Sequence, residues 1–138
     1  EPKGGQKILD IGSGSGWTTA LLASIVGHKG KIIGIEVLPE LAAFGKTKIA
    51  KYNFIEKGIV SILCMNGKDG YQKEAPYDGI LVSASLAEPD IPPAWKEQLK
   101  IGSKIVVPIQ HSIWIFIKED ANHFAQEEYP GFAFVPFI

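Results

Sequence analysis

The chain has 138 residues, 46% apolar and 21% charged, a composition that supports one folded domain with a real core and excludes a disordered tail or a two-domain enzyme. Fourteen cations against fifteen anions leave a formal charge of −1, so no basic excess exists to hold a nucleic-acid backbone or an anionic membrane surface. All fourteen cations are Lys, so any bound anion must be met by Lys, by hydroxyls or by backbone N–H groups rather than by a guanidinium fork.

Short apolar runs alternate with helical patterns along the chain, the rhythm of a parallel sheet covered on both faces. Lys7 to Ile11 (KILDI) reads as the first strand and ends in a glycine-rich turn. A helix is expected after Ser15, a candidate N-cap, with Leu21, Leu22, Ile25 and Val26 on its apolar face and Gly27 as its stop. Lys31 to Glu36 (KIIGIE) is the second strand. Pro39 suits the first turn of the next helix, because its missing N–H would lack a helical partner anyway. Leu41, Phe44, Ile49 and Tyr52 give that helix its stripe and Gly58 ends it, while Gly45 inside it costs about 1 kcal/mol relative to Ala.

Ile59 to Met65 reads as the third strand and Tyr77 to Ala84 as the fourth, separated by a loop from Gly67 to Pro76. A short helix from Pro93 to Leu99 precedes a fifth strand from Lys104 to Ile109. Ser112 to Lys118 follows too soon for a helical crossover, so it is expected to pair antiparallel. Phe132 to Phe137 is expected as a last strand near an edge, where Pro136 is tolerable. The expected architecture is α/β: a Rossmann-like, doubly wound, mostly parallel sheet with an antiparallel C-terminal strand pair, in a single domain spanning residues 1–138. No apolar run reaches the roughly 18–20 residues of a membrane span, and the start is not leader-like. The lone cysteine, Cys64, cannot form an internal disulfide, and a reducing, cytoplasmic location is expected.

Chemistry concentrates in Ile8 to Gly16 (ILDIGSGSG), a strand running into glycines at 12, 14 and 16. A dinucleotide fingerprint would put its third glycine at position 17, which Trp17 occupies, so the spacing speaks against NAD. What remains is a backbone stripped of side chains, Asp10 at the strand's carboxyl end, and a helix start carrying Thr18 and Thr19. A ligand with a carboxylate beside an ammonium suits that arrangement, and the amino-acid end of S-adenosylmethionine is such a ligand. If the glycines merely shaped a tight turn, Asp10 would have no task. Glu36 lies twenty residues beyond Gly16, the offset at which a carboxylate reaches both hydroxyls of an adenosine ribose. Alone it reads equally well as an exposed strand-end acid; with the glycine loop and Asp10 it completes a set.

On these residues the chain resembles the protein-L-isoaspartate O-methyltransferase family, S-adenosylmethionine-dependent enzymes that methylate the free carboxylate of isoaspartyl residues in damaged proteins. The similarity runs through LDIGSGSG and ALLA, GIEVLPELA, NGKDGY, EAPYDGILVSA, IPPAWKEQLKIGSKIVVPI and the closing FVPF. The first motif is common to many methyltransferases; GKDGY, EAPYD, VSAS and FVPF are more particular. The resemblance implies the methyltransferase variant of the Rossmann-like fold, with S-adenosyl-L-methionine as cofactor. Asp10 and the backbone of Gly12, Ser13, Gly14, Ser15 and Gly16 would hold its methionine part, Glu36 its ribose, and Val37 and Leu38 its adenine. Asn66 and Gly67 fall where the family usually has Asp-Gly facing the adenine amino group. The Asn66 amide oxygen is expected to accept that bond without charge assistance, giving weaker cofactor binding; an ordinary turn residue is the other reading of Asn66.

Ser83, Ala84 and Ser85 would stand beside the transferred methyl and contact the substrate backbone. The resemblance further implies that the isoaspartyl carboxylate is gripped by a Ser/Thr loop in an N-terminal segment upstream of residue 1. The chain, which opens on Glu1, is therefore expected to be truncated relative to the family, and no catalytic residue is assigned within it. The expected partner is an isoaspartyl peptide or protein substrate, with neither nucleic acid nor membrane, and the chain itself is expected to be a monomer. Asp78 reads as structural, His28, His111 and His123 as solvated, Cys64 as core, and Trp95 and Trp114 as packing; no cluster has metal-ligand spacing. Two other readings stay open: a degenerate, non-catalytic cofactor-binding domain, motivated by Asn66 and the missing segment, and a methyltransferase for a small molecule.

Overall fold

The β-branched and leucine-rich runs form strands because residues buried on both sheet faces must be apolar at every position. In the computed structural model, which describes residues 4–12, 27, 30–50, 59–83, 91–109 and 112–130, the strands are β1 (Lys7–Ile11), β2 (Lys31–Glu36), β3 (Val60–Cys64), β4 (Tyr77–Val82), β5 (Leu99–Ile109), β6 (Ser112–Lys118) and β7 (Phe124–Pro130), and the first two come nearest to that pattern. Two helices are described, α1 (Pro39–Ala50) and α2 (Pro93–Gln98). The strands form one sheet in the order β3-β2-β1-β4-β5-β6-β7, with the first five parallel and the last two antiparallel. The chain therefore steps outward from β1 to β3 and then crosses back to β4 on the other side of β1. That reversal makes the carboxyl end of β1 the switch point at which such sheets bind ligands. This is the expected doubly wound sheet with its antiparallel C-terminal strands.

Strand alternation splits the interior into two cores. Leu9, Ile11, Ile33, Ile35, Ile80 and Val82 face one way, packed with Ile91 and Trp95 from the α2 side and with Ile105 and Val107 of β5. Ile8, Ile32, Val60 and Ile62 face the other way, against Ala42 of α1 and Ile59. Lys118 is 7% exposed, and its ammonium donates to the carbonyls of Lys96 at 2.6 Å and Leu99 at 2.9 Å, satisfying acceptors where α2 ends.

Several boundaries differ from the pattern in the sequence. β5 begins at Leu99 instead of Lys104, because α2 stops at Gln98 and Leu99 already pairs with Tyr77 across a register shift in the ladder. β3 and β4 are shorter at their ends than expected, and β4 stops at Val82. β7 was not expected: FAQEEYP lacks an apolar face, and the strand exists through its ladder to β6 and a tight turn. In that turn Asp120 accepts the Asn122 N–H at 2.8 Å, and the Glu119 N–H donates to the His123 carbonyl at 2.9 Å. The expected strand from Phe132 to Phe137, the helix following Ser15, the stretch from Tyr52 to Gly58, His28 and His111 lie outside the described residues. Gly27, the expected stop of the first helix, has φ +69°, a left-handed conformation that favours glycine.

Candidate functional site

The carboxyl ends of β1, β2, β3 and β4 lie in adjacent positions. Gly12 closes β1 at φ +77°, a conformation that favours glycine, and its N–H donates to the Ile35 carbonyl of β2 at 2.8 Å. The Ile11 carbonyl accepts the Ser83 N–H at 2.9 Å, which ties the exit of β4 to the start of the glycine turn. Asp10 is fully buried and stands in register with Gly34 of β2 and Leu81 of β4. Because Gly34 has no side chain, the neighbouring strand places nothing bulky beside the carboxylate.

Glu36 ends β2, only 7% exposed, and shares a sheet face with Asp10 by the two-residue alternation. Its Oε2 accepts the Leu38 N–H at 3.1 Å and its carbonyl accepts the Met65 N–H at 3.1 Å, so the β2 and β3 exits are held together. Val37 is half-buried and Leu38 is exposed. Cys64, expected in the core, is exposed, with Sγ 3.8 Å from the Val37 carbonyl; it is the last residue of β3, which among the described strands pairs on one side only.

Asn66 begins the 3-10 turn Gly67–Asp69, and its Oδ1 accepts the Lys68 N–H at 2.9 Å, an Asx cap. Gly67 is buried because a side chain there has no room: a Cβ would lie 2.5 Å from Cγ2 of Ile11. The Gly67 carbonyl accepts the indole N–H of the fully buried Trp95 at 2.7 Å. Gln98, also buried, accepts the Tyr71 N–H and donates to the Asp69 carbonyl, both at 2.9 Å. Trp95 thus packs, as expected, but it also positions the loop; Gln98 had no signal in the sequence, since a buried amide in a short helix looks like any solvated Gln. Ser83 is exposed just beyond β4. Ser13, Gly14, Ser15, Gly16, Ala84 and Ser85 lie outside the described residues.

Asp78 and Tyr77 serve the scaffold. Asp78 accepts the Lys7 N–H at 2.8 Å and the Lys100 ammonium at 3.0 Å. Partial burial opposes its ionisation most strongly, but the Lys7 N–H and Lys100 together outweigh it and hold its carboxyl below the usual range. Burial pushes the Tyr77 phenol above its ordinary value, assisted by the charge of Glu74, and its hydroxyl donates to the Tyr71 carbonyl at 2.6 Å. Trp114 stacks on Phe116, and His123 is exposed beside Asp120. Among the described residues no group of three or more His, Cys, Asp or Glu is placed to hold a metal, and no helix is long and apolar enough to cross a membrane.

The chain matches known proteins over nearly its whole length. Residues 2–138 match the family model of protein-L-isoaspartate(D-aspartate) O-methyltransferase. The chain is similar to the protein-L-isoaspartate O-methyltransferase of Methanopyrus kandleri, 37% identical over 142 residues that cover 100% of this chain and 61% of that protein. The enzyme of the same name from Methanococcus aeolicus is 39% identical over 138 residues, covering 99% and 62%. Among solved structures, a protein-L-isoaspartate O-methyltransferase superposes with a TM-score of 0.89 at 26% identity, covering 98% of this chain and 43% of that one. A Plasmodium falciparum protein described as a candidate of the same kind, solved with S-adenosyl-L-homocysteine, shares the fold at a TM-score of 0.86 and 21% identity, covering 99% and 67%. The chain spans about 60% of the length of the curated relatives it matches.

Proposed function

The chain belongs to the protein-L-isoaspartate(D-aspartate) O-methyltransferase family, and on that premise we propose that it is the cofactor-binding body of an enzyme methylating the free carboxylate of L-isoaspartyl residues in proteins. The observation that carries the reading is the meeting, at the switch point of the sheet, of a left-handed Gly12 with two buried carboxylates, Asp10 and Glu36, on adjacent strands.

These residues fit S-adenosyl-L-methionine. Asp10 offers a carboxylate to the ammonium, and Ser13, Gly14, Ser15 and Gly16, which follow Gly12 in sequence, would offer backbone N–H groups to the carboxylate. Glu36 takes the ribose hydroxyls, and Val37, Leu38, Asn66 and Gly67 line the base. When bound, the cofactor supplies a sulfonium-activated methyl group. Asp10 and Glu36 fix its orientation from both ends. Ser83, with Ala84 and Ser85, takes the acceptor backbone where small side chains permit close approach. The acceptor carboxylate, which ordinarily titrates at about pH 4, is already ionised at neutral pH, so no general base is required of this chain. Rate enhancement then comes from holding nucleophile and methyl in line in a dry site.

The test is a methanol-release assay on the full-length protein carrying this chain, with paired isoaspartyl and aspartyl peptides. Release from the isoaspartyl peptide alone, dependent on S-adenosylmethionine, is the expected result. Tight binding of S-adenosylhomocysteine without methylation of any peptide would instead identify a non-catalytic cofactor-binding domain.

A further inference from the structure

The exits of β3, β2 and β1 stand side by side in that order, with Glu36 in register with Cys64. A ligand with its amino-acid end at the Gly12 turn and its ribose on Glu36 therefore carries its base onward over the exit of β3. The polar side chain exposed there is Asn66. Its Oδ1 accepts the Lys68 N–H at 2.9 Å, and that bond decides which way the amide is turned. An N–H must be met by the oxygen, so one lone pair of Oδ1 is committed to the 3-10 turn and the NH2 limb is the donor that Asn66 has to offer a ligand. An Asp at this place would keep a second acceptor oxygen; Asn has only one.

We propose that Asn66 presents a hydrogen-bond donor to the edge of the purine ring, so that this pocket does not require a 6-amino group and accepts a 6-oxo ring in its place. The inference rests on the cofactor reading above and specifies its base subsite. Opposite a 6-amino group the amide NH2 sets donor against donor; opposite a 6-oxo group it donates a normal hydrogen bond.

The experiment is calorimetric titration of the full chain with S-adenosyl-L-homocysteine and with S-inosyl-L-homocysteine, repeated on Asn66→Asp and Asn66→Ala. Wild type is expected to bind the 6-oxo ligand within about threefold of the 6-amino ligand, or more tightly. Asn66→Asp keeps the cap through one carboxylate oxygen and frees the other, so the preference should move about tenfold toward the 6-amino ligand. Asn66→Ala, with matched thermal melts as a check on folding, should lose affinity for the 6-oxo ligand more than for the 6-amino one. A wild-type preference of more than about tenfold for the 6-amino ligand, unmoved in Asn66→Asp, overturns the inference and leaves the cofactor reading intact. Failure of wild type to bind either ligand overturns both.

Discussion

The indole N–H of Trp95 donates to the carbonyl of Gly67 at 2.7 Å, joining the helix before β5 to the loop after β3 across the top of the sheet. The bond gives a fully buried Trp its polar partner and gives the candidate base subsite a rigid support. Replacing Trp95 by Phe removes the N–H while the Gly67 carbonyl keeps its bond from the Gly70 N–H at 3.0 Å. A loss of about 1 kcal/mol in stability is expected by urea denaturation. If the loop depends on this bond, affinity for S-adenosylhomocysteine should fall severalfold in the same variant; an unchanged affinity would show that the loop is held without it.

Gly67→Ala forces a Cβ to within 2.5 Å of Cγ2 of Ile11, a branched atom on the central strand with no flexible end to swing aside. Overpacking of this kind costs about 1–3 kcal/mol. Chemical denaturation should register it, and a variant as stable as wild type would mean that the loop and β1 approach less closely than described.

Glu36→Ala should weaken S-adenosylhomocysteine binding by about ten- to a hundredfold, the effect of losing charge-assisted bonds to two hydroxyls. Glu36→Gln keeps an acceptor for the Leu38 N–H, so it should melt close to wild type and still bind more weakly. Equal affinity of all three forms by calorimetry would remove Glu36 from the ribose site.

Asp78 has a folded-state pKa below its unfolded value, so its stabilising contribution is fully present above about pH 4 and is lost as pH falls through the lower folded value. Asp78→Asn should cost about 1–2 kcal/mol at neutral pH, mainly through the weakened bond from the Lys7 N–H, since the Lys100 ammonium is nearly half exposed. The gap between variant and wild type should close as pH falls below the ordinary carboxylate range in acid denaturation curves; a gap independent of pH would assign the effect to packing.

The strands were legible where the apolar run is continuous, as in KILDI and KIIGIE, buried on both faces, and in the half-buried SIWIFIK, and the bounds of all three match the sequence pattern. β7 escaped because Gln126, Glu127 and Glu128 give it no apolar face, and backbone pairing leaves no compositional mark. The placement of Asp10, Gly12 and Glu36 at the exits of β1 and β2 was readable because it follows from where the apolar runs end. The exposure of Cys64 was not, since an apolar run does not reveal which strand will lie at an edge. Nor were the bonds from Gln98 and Trp95 to the loop, which join residues 27–29 positions apart through tertiary packing alone.

β1 precedes every other described strand in sequence yet lies inside the sheet, and its residues 8–11 pair with 79–82 on one side. Loop closure over that separation must be completed before the inner strand is paired on both sides, which places the fold among the slower, high-contact-order topologies. On a ribosome, the apolar flank of β1 therefore stays unpaired until β4 has emerged, even though β2 and β3 are already available. During synthesis, the strand that carries the candidate site therefore stays exposed to chaperones until β4 is available.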